Sequence, residues 1–172
     1  MKGYTPVDIP TQPYIAAFIK GHMGPQPKMN GPDALGITKY FTVLLTRASN
    51  YRKTSYRNGW YTTKLRVYID MHTCNARGHY LNETNVRDFN IFVKNLLKGR
   101  FHELMDDYVE KNGSITKSLD RVREKLKISI FDWDDDSMRK DYLRYRKKNG
   151  LSTDFERKLS TKVSQGQKDK NN

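Results

Sequence analysis

Residues 84–111 read TNVRDFNIFVKNLLKGRFHELMDDYVEK, and this stretch decides the fold. Val86, Phe89, Phe92, Val93, Leu96, Leu97, Phe101, Leu104, Met105, Tyr108 and Val109 recur at helical spacing. They make one apolar stripe over about eight turns of helix. An element of that length must be the spine against which the rest of the core packs. Thr84 or Asn85 is expected to cap it, Asn112-Gly113 to end it, and Gly99 to mark a bend or a close helix crossing.

Toward the C-terminus, Ser114 can cap a further helix whose Ile115, Leu119, Val122 and Leu126 face inward. A connector, 128–136, then leads into Ser137-Met-Arg-Lys-Asp-Tyr-Leu-Arg-Tyr-Arg-Lys-Lys-Asn-Gly150. Ser137 is the expected N-cap and Gly150 the natural C′ residue. Met138, Tyr142 and Tyr145 fall at i, i+4 and i+7, a narrow face suited to holding the helix to the body. Six basic side chains stand against one acid, and Arg139, Lys140, Arg144 and Lys147 share the outward surface, with Lys148 following. The pair 113–150 has the layout of a helix-turn-helix, although its connector exceeds the three or four residues of the simplest form. An ordinary helical hairpin with a solvated cationic face fits the same pattern.

Toward the N-terminus the period changes. Leu65, Val67 and Ile69 alternate with Lys64, Arg66 and Tyr68, the signature of a half-buried strand. Asn58-Gly59 is a two-residue turn signal, so 51–57 and 60–70 are expected to pair as a hairpin within 47–70. Arg47, Arg52, Lys53, Arg57, Lys64 and Arg66, interleaved with Tyr51, Tyr56, Trp60 and Tyr61, would give that arm a grip on phosphates and a stacking surface for bases. An exposed hairpin with its aromatics packed inward is the alternative. Val7-Asp8-Ile9 suggests a short strand. Thr11 with Pro13 suggests the start of a helix carrying Tyr14, Ile15, Phe18 and Ile19, and a second helix is expected over about 33–46.

Composition sets the functional class. Thirty-two Lys and Arg against nineteen Asp and Glu give a formal charge of +13 and a pI near 9.8, as in nucleic-acid binders. No apolar run reaches the length of a membrane span, and no signal-peptide core follows Met1, so a cytoplasmic protein is expected. Cys74 is the single cysteine, which excludes an internal disulfide. Asp132, Asp134, Asp135 and Asp136 lack the spacing of a calcium loop and are read as helix-start charges. His72, Cys74 and His79 lack an evident fourth zinc ligand. Neither a phosphate-binding glycine loop nor a nucleophile elbow is present, so the expectation is no enzyme, no metal and no cofactor.

Val7-Asp8-Ile9-Pro10-Thr11-x-x-Tyr14, Leu81-Asn82-Glu83-Thr84-Asn85-Val86 with Phe89-Asn90, and Asp136 to Arg146 together resemble a family of small proteins from phages and mobile elements of gut anaerobes. The C-terminal helix pair is more loosely similar to that of phage middle-operon activators. The resemblance implies a host–element DNA transaction such as transcription control, replication or transposition. It carries over no functional residue.

The expected fold is therefore α+β and mostly helical. A mixed body (1–112) holds the basic hairpin and the central helix, a helix-turn-helix-like unit spans 113–150, and a polar disordered tail spans 151–172. The expected function is DNA binding, duplex first, regulatory or accessory to a mobile element. The alternatives are a phage structural or assembly protein contacting packaged nucleic acid, or a single-strand DNA or RNA binder. The expected contacts are Arg139, Lys140, Arg144, Lys147 and Lys148 on the last helix, and Arg52, Lys53, Arg57 and Trp60 on the hairpin.

Overall fold

A computed structural model describes residues 3–47 and 61–151. In chain order the elements are β1 (Tyr4–Thr11), α1 (Pro13–Met23), α2 (Ile37–Leu44), β2 (Thr63–Asp70), α3 (Met71–Arg77), α4 (Glu83–Asn112), α5 (Ile115–Leu126) and α6 (Asp135–Lys148). The protein is mostly helical, with a two-stranded antiparallel sheet among the described residues.

The spine is α4. Its Val86, Phe89, Val93, Leu97, Phe101, Met105 and Val109 are buried, spaced three or four residues apart as a single face requires. Asn82 caps it, accepting from the Asn85 N–H at 2.8 Å, in place of the expected Thr84 or Asn85. Those two residues already lie inside the first turn, and the Asn85 amide donates instead to Leu44 O. Gly113, at φ 67°, ends the helix as expected. Gly99 marks no crossing, because a Cβ there would meet nothing within 4 Å. The close approach is at Gly21 of α1, where a Cβ would fall 2.6 Å from Lys127 Cβ.

Leu65, Val67 and Ile69 of β2 are buried and alternate with exposed or half-buried neighbours, as the period-two pattern predicts. Their partner is β1: Val7 lies opposite Val67 and Ile9 opposite Leu65. The strand expected at 7–9 thus runs the full Tyr4–Thr11. Pro6 and Pro10 are tolerated because β1 is an edge strand, where alternate residues need no ladder donor. The 51–57 arm of the expected hairpin lies outside the described residues. On the other edge of β2, Met29 N–H donates to Tyr68 O and Tyr68 N–H to Pro27 O.

Thr11 ends β1 and is buried, its hydroxyl donating to Asn90 Oδ1, so the residue at the start of α1 is Gln12 rather than Thr11. Helix α2 is shorter than 33–46. Asp33 accepts from the N–H groups of Leu35, Ile37 and Thr38, and Gly36 at φ 69° breaks any earlier turn. Helix α3, capped by Asp70, has no counterpart in the sequence reading.

Ser114 caps α5 as expected. Asp134, not Ser137, caps α6: its carboxylate accepts from the Ser137 N–H at 2.8 Å, which puts Ser137 in the first turn. At the far end Gly150, at φ 64°, donates to Lys147 O and Leu151 N–H to Arg146 O, closing a Schellman motif. The α5–α6 connector is held by Arg123, only 7% exposed. Its guanidinium donates to Asp135 Oδ1 and to the carbonyls of Ser129 and Trp133. Trp133 in turn contacts Tyr14 of α1 and Phe101 of α4, which seats α6 beside both helices. Leu119, Val122, Leu126, Met138 and Tyr142 join the same core as Val7 and Ile9.

Candidate nucleic-acid interface

Met138 and Tyr142 of α6 are fully buried, and this turns the opposite side of the helix outward. Two phenols fix the rotation. Tyr142 donates to Asp106 Oδ1 at 2.7 Å and Tyr145 to Asp106 Oδ2 at 3.1 Å, both on α4. The tyrosine seam thus holds the helix to the body, as its spacing predicts. Arg139, Lys140, Arg144, Lys147 and Lys148 are all exposed.

Three of the five line a groove between α6 and α4: Lys140, Arg144 and Lys148. Arg139 and Lys147 are exposed outside it. The opposing wall carries Lys94, Lys98 and His102. Farther up α4 the groove continues past Tyr14 into a cavity lined by Arg87 and Ile91. Arg87, Ile91, Lys94, Lys98 and His102 are spaced 4, 3, 4 and 4, so they share one side of the helix. From Arg87 to His102 that side runs about 22 Å at 1.5 Å per residue.

Six cations line this path (Arg87, Lys94, Lys98, Lys140, Arg144, Lys148) against two carboxylates, Glu83 and Asp141. Asp141 lies between the walls: one oxygen accepts from Lys98 Nζ and the other from His102 Nε2 at 2.9 Å. Tyr145 stacks on the His102 ring at 4.0 Å between centroids. Burial pushes the Asp141 carboxyl up, but the hydrogen bonds from His102 and Lys98 and the Lys98 charge outweigh it and hold it below the usual carboxylate range. Lys140 pairs with Asp136 at 2.6 Å. The side chains of Lys94, Arg144 and Lys148 make no hydrogen bond or ion pair to other described residues, so their charge faces the groove unspent.

Each aspartate of the connector has a structural task. Asp132 accepts from Ser129 N–H and Oγ, Asp134 caps α6, Asp135 pairs with Arg123, and Asp136 pairs with Lys140. Cys74 Sγ lies 3.5 Å from His79 Nδ1. No group of three His, Cys, Asp or Glu among the described residues is placed to hold a metal ion. Arg52, Lys53, Arg57 and Trp60 lie outside the described residues.

The α4 wall is the part of the interface that sequence reasoning missed. Reading α4 for its apolar stripe hid a second periodicity on the same helix, the cations Arg87, Lys94 and Lys98 at helical intervals. That Lys94 and Lys98 face α6 required the Tyr142–Asp106 and Lys98–Asp141 contacts, which join residues 36 and 43 positions apart.

No described helix is long and apolar enough to cross a membrane. The chain matches no protein-family model, and no curated protein or solved structure is significantly similar to it.

Proposed function

We propose that this protein binds nucleic acid, duplex DNA foremost, along the cationic groove between α4 and α6, in a regulatory or accessory role in phage or mobile-element transcription or replication. The observation that carries the reading is a cationic lining with three cations from each helix: Lys94 and Lys98 of α4 face Lys140, Arg144 and Lys148 of α6, Arg87 extends the α4 side, and Lys94, Arg144 and Lys148 are unpaired among the described residues. A path of about 22 Å spans about six base pairs along a duplex axis at a rise of ~3.4 Å. Phosphate contacts of this kind supply affinity and orientation, while base contacts supply sequence preference.

In this proposal α5 and α6 remain a helix-turn-helix-like pair, with one change in how α6 would meet DNA. In the common geometry the N-terminal residues of the second helix reach the base edges. Here that end carries Asp134, Asp135 and Asp136, whose charges repel phosphate. The cationic surface is the flank and C-terminal half, so α6 lies side-on to the backbone.

Competition between labelled duplex DNA and unlabelled duplex, single-stranded DNA and RNA of equal length tests the proposal. Saturable binding that weakens with salt, with duplex DNA an effective competitor, is expected. Absence of binding at low ionic strength would reject it.

A further inference from the structure

We infer that the cavity at the head of the groove, between α1 and α4, is a pocket for one unpaired base of the bound strand, adenine by preference; the inference rests on the nucleic-acid reading above. The cavity encloses about 530 Å³, within the range of small-ligand sites. It shares Tyr14 and Lys94 with the cationic groove, so a strand lying in the groove passes its mouth.

The lining suits a base with phosphates on either side. Arg87 and Lys94, seven residues apart on one side of α4, stand about 10 Å from each other along the helix. Between them projects Ile91, 50% exposed, a large aliphatic side chain between two cations that has no role in the core. Tyr14 and Tyr61 supply aromatic faces. Tyr14 is braced against Trp133 at 5.4 Å between ring centroids, so its ring is pre-positioned rather than ordered on binding. Burial, then the Asp141 charge, raises the Tyr14 phenol above its ordinary range, so it stays a neutral hydrogen-bonding group.

Gln12 supplies the polar reader. It sits at the N-cap of α1, a position where side chains ordinarily bond the helix N–H groups, yet it makes no capping bond. Only its backbone carbonyl is engaged, accepting from Ile15 and Ala16, and its carboxamide has no partner among the described residues. An amide offers one donor edge and one acceptor, the complement of the adjacent N6 donor and N7 acceptor of adenine. Asn90, also in the lining, is not available for this role. Its Nδ2 donates to Pro10 O and Val86 O, and its Oδ1 accepts from Thr11, contacts that pin the β1–α1 turn and hence Gln12 to α4.

The test compares binding of the full chain to labelled oligo(dA), oligo(dT), an abasic strand of the same length and charge, and a blunt duplex. Oligo(dA) is expected to bind about 5-fold or more tighter than the abasic strand, the low end of what stacking one base supplies. Tyr61→Ala and, separately, Gln12→Ala are expected to bring oligo(dA) down toward the abasic strand and leave abasic binding unchanged. Gln12→Ala should also erase the advantage of oligo(dA) over oligo(dT). Equal wild-type binding of oligo(dA) and abasic strands overturns the pocket while leaving the groove standing. Variants that lose abasic and oligo(dA) binding alike also overturn it. No binding of any strand or duplex removes the groove and the pocket together.

Discussion

Asp141 of α6 and His102 of α4 are joined by a 2.9 Å hydrogen bond from Nε2 to Oδ2, across a groove whose lining also carries Lys98, Arg144 and Lys148. The other Asp141 oxygen holds Lys98. With its side chain 15% exposed, this carboxylate ties the two helices together and at the same time neutralises part of the surface that would attract phosphate. On the proposed nucleic-acid reading, stability and affinity for DNA therefore pull against each other at one residue.

Asp141→Asn is expected to lower stability by about 1–3 kcal/mol, because Lys98 and His102 lose a charged acceptor. DNA affinity should rise in the same variant, and the slope of log K against log salt should steepen by about 0.9 as Lys98 becomes available to a phosphate. The folded pKa of Asp141 is depressed, so its contribution to stability is complete above the ordinary carboxylate value of about 4 and is lost as pH falls through the lower folded value. Urea unfolding across the acid range should show a smaller acid-side loss in the variant. Weaker DNA binding by Asp141→Asn would contradict this role.

Tyr142→Phe keeps the ring that fills the core but leaves Asp106 Oδ1 without its 2.7 Å donor. A cost of about 1.5–3 kcal/mol is expected, as for hydrogen bonds to charged groups. Burial, then the hydrogen bond and charge of Asp106, holds the Tyr142 phenol well above its ordinary range. Because the folded pKa is raised, the phenol stabilises the protein fully below about pH 10 and that contribution fades as pH rises further. Chemical denaturation of both proteins at neutral and alkaline pH checks it: the difference should shrink on the alkaline side.

Two glycines should respond oppositely to alanine. Gly21→Ala puts a Cβ 2.6 Å from Lys127 Cβ, and Lys127 itself is held at φ 54° at the end of α5, so little can yield. Destabilisation of about 1–3 kcal/mol is expected from overpacking. Gly99→Ala meets open space within α4 and should stabilise by about 0.5–1 kcal/mol through helix propensity. Thermal melts of the two variants decide the sign at each site.

The same contrast shows what was legible in the sequence. Local signals were read correctly where the partner is a neighbour in the chain: the α4 stripe, its Gly113 stop, the Ser114 cap, and the burial of Met138 and Tyr142. The signals missed the caps of α4 and α6 by a few residues, Asn82 and Asp134 capping in place of Thr84 or Asn85 and Ser137, and they failed more broadly where a residue is fixed by something distant. Gly99 looks like a crossing by composition, yet the helical glycine that meets a close neighbour is Gly21, set by Lys127 more than a hundred positions away. The alternation of Leu65, Val67 and Ile69 identified a strand but not its partner, because Val67 pairs with Val7 and no local turn announces it. Charge and helical period alone singled out Lys140, Arg144 and Lys148, which line the α4–α6 groove. Lys94 and Lys98 were hidden because their helix was read only for its core.

The groove itself is tested most directly by the salt dependence of duplex DNA binding in wild type, in Arg144→Ala with Lys148→Ala, and in Arg121→Ala with Lys125→Ala as a control. Arg121 and Lys125 are exposed on α5 and line none of the groove. Removing two groove cations should weaken binding and reduce the magnitude of the log K against log salt slope by about 1.8, at ~0.9 per phosphate contact, with the α5 control close to wild type. An unchanged slope in the Arg144/Lys148 variant, or an equal loss in both, would contradict the assignment of the α4–α6 groove as the nucleic-acid interface.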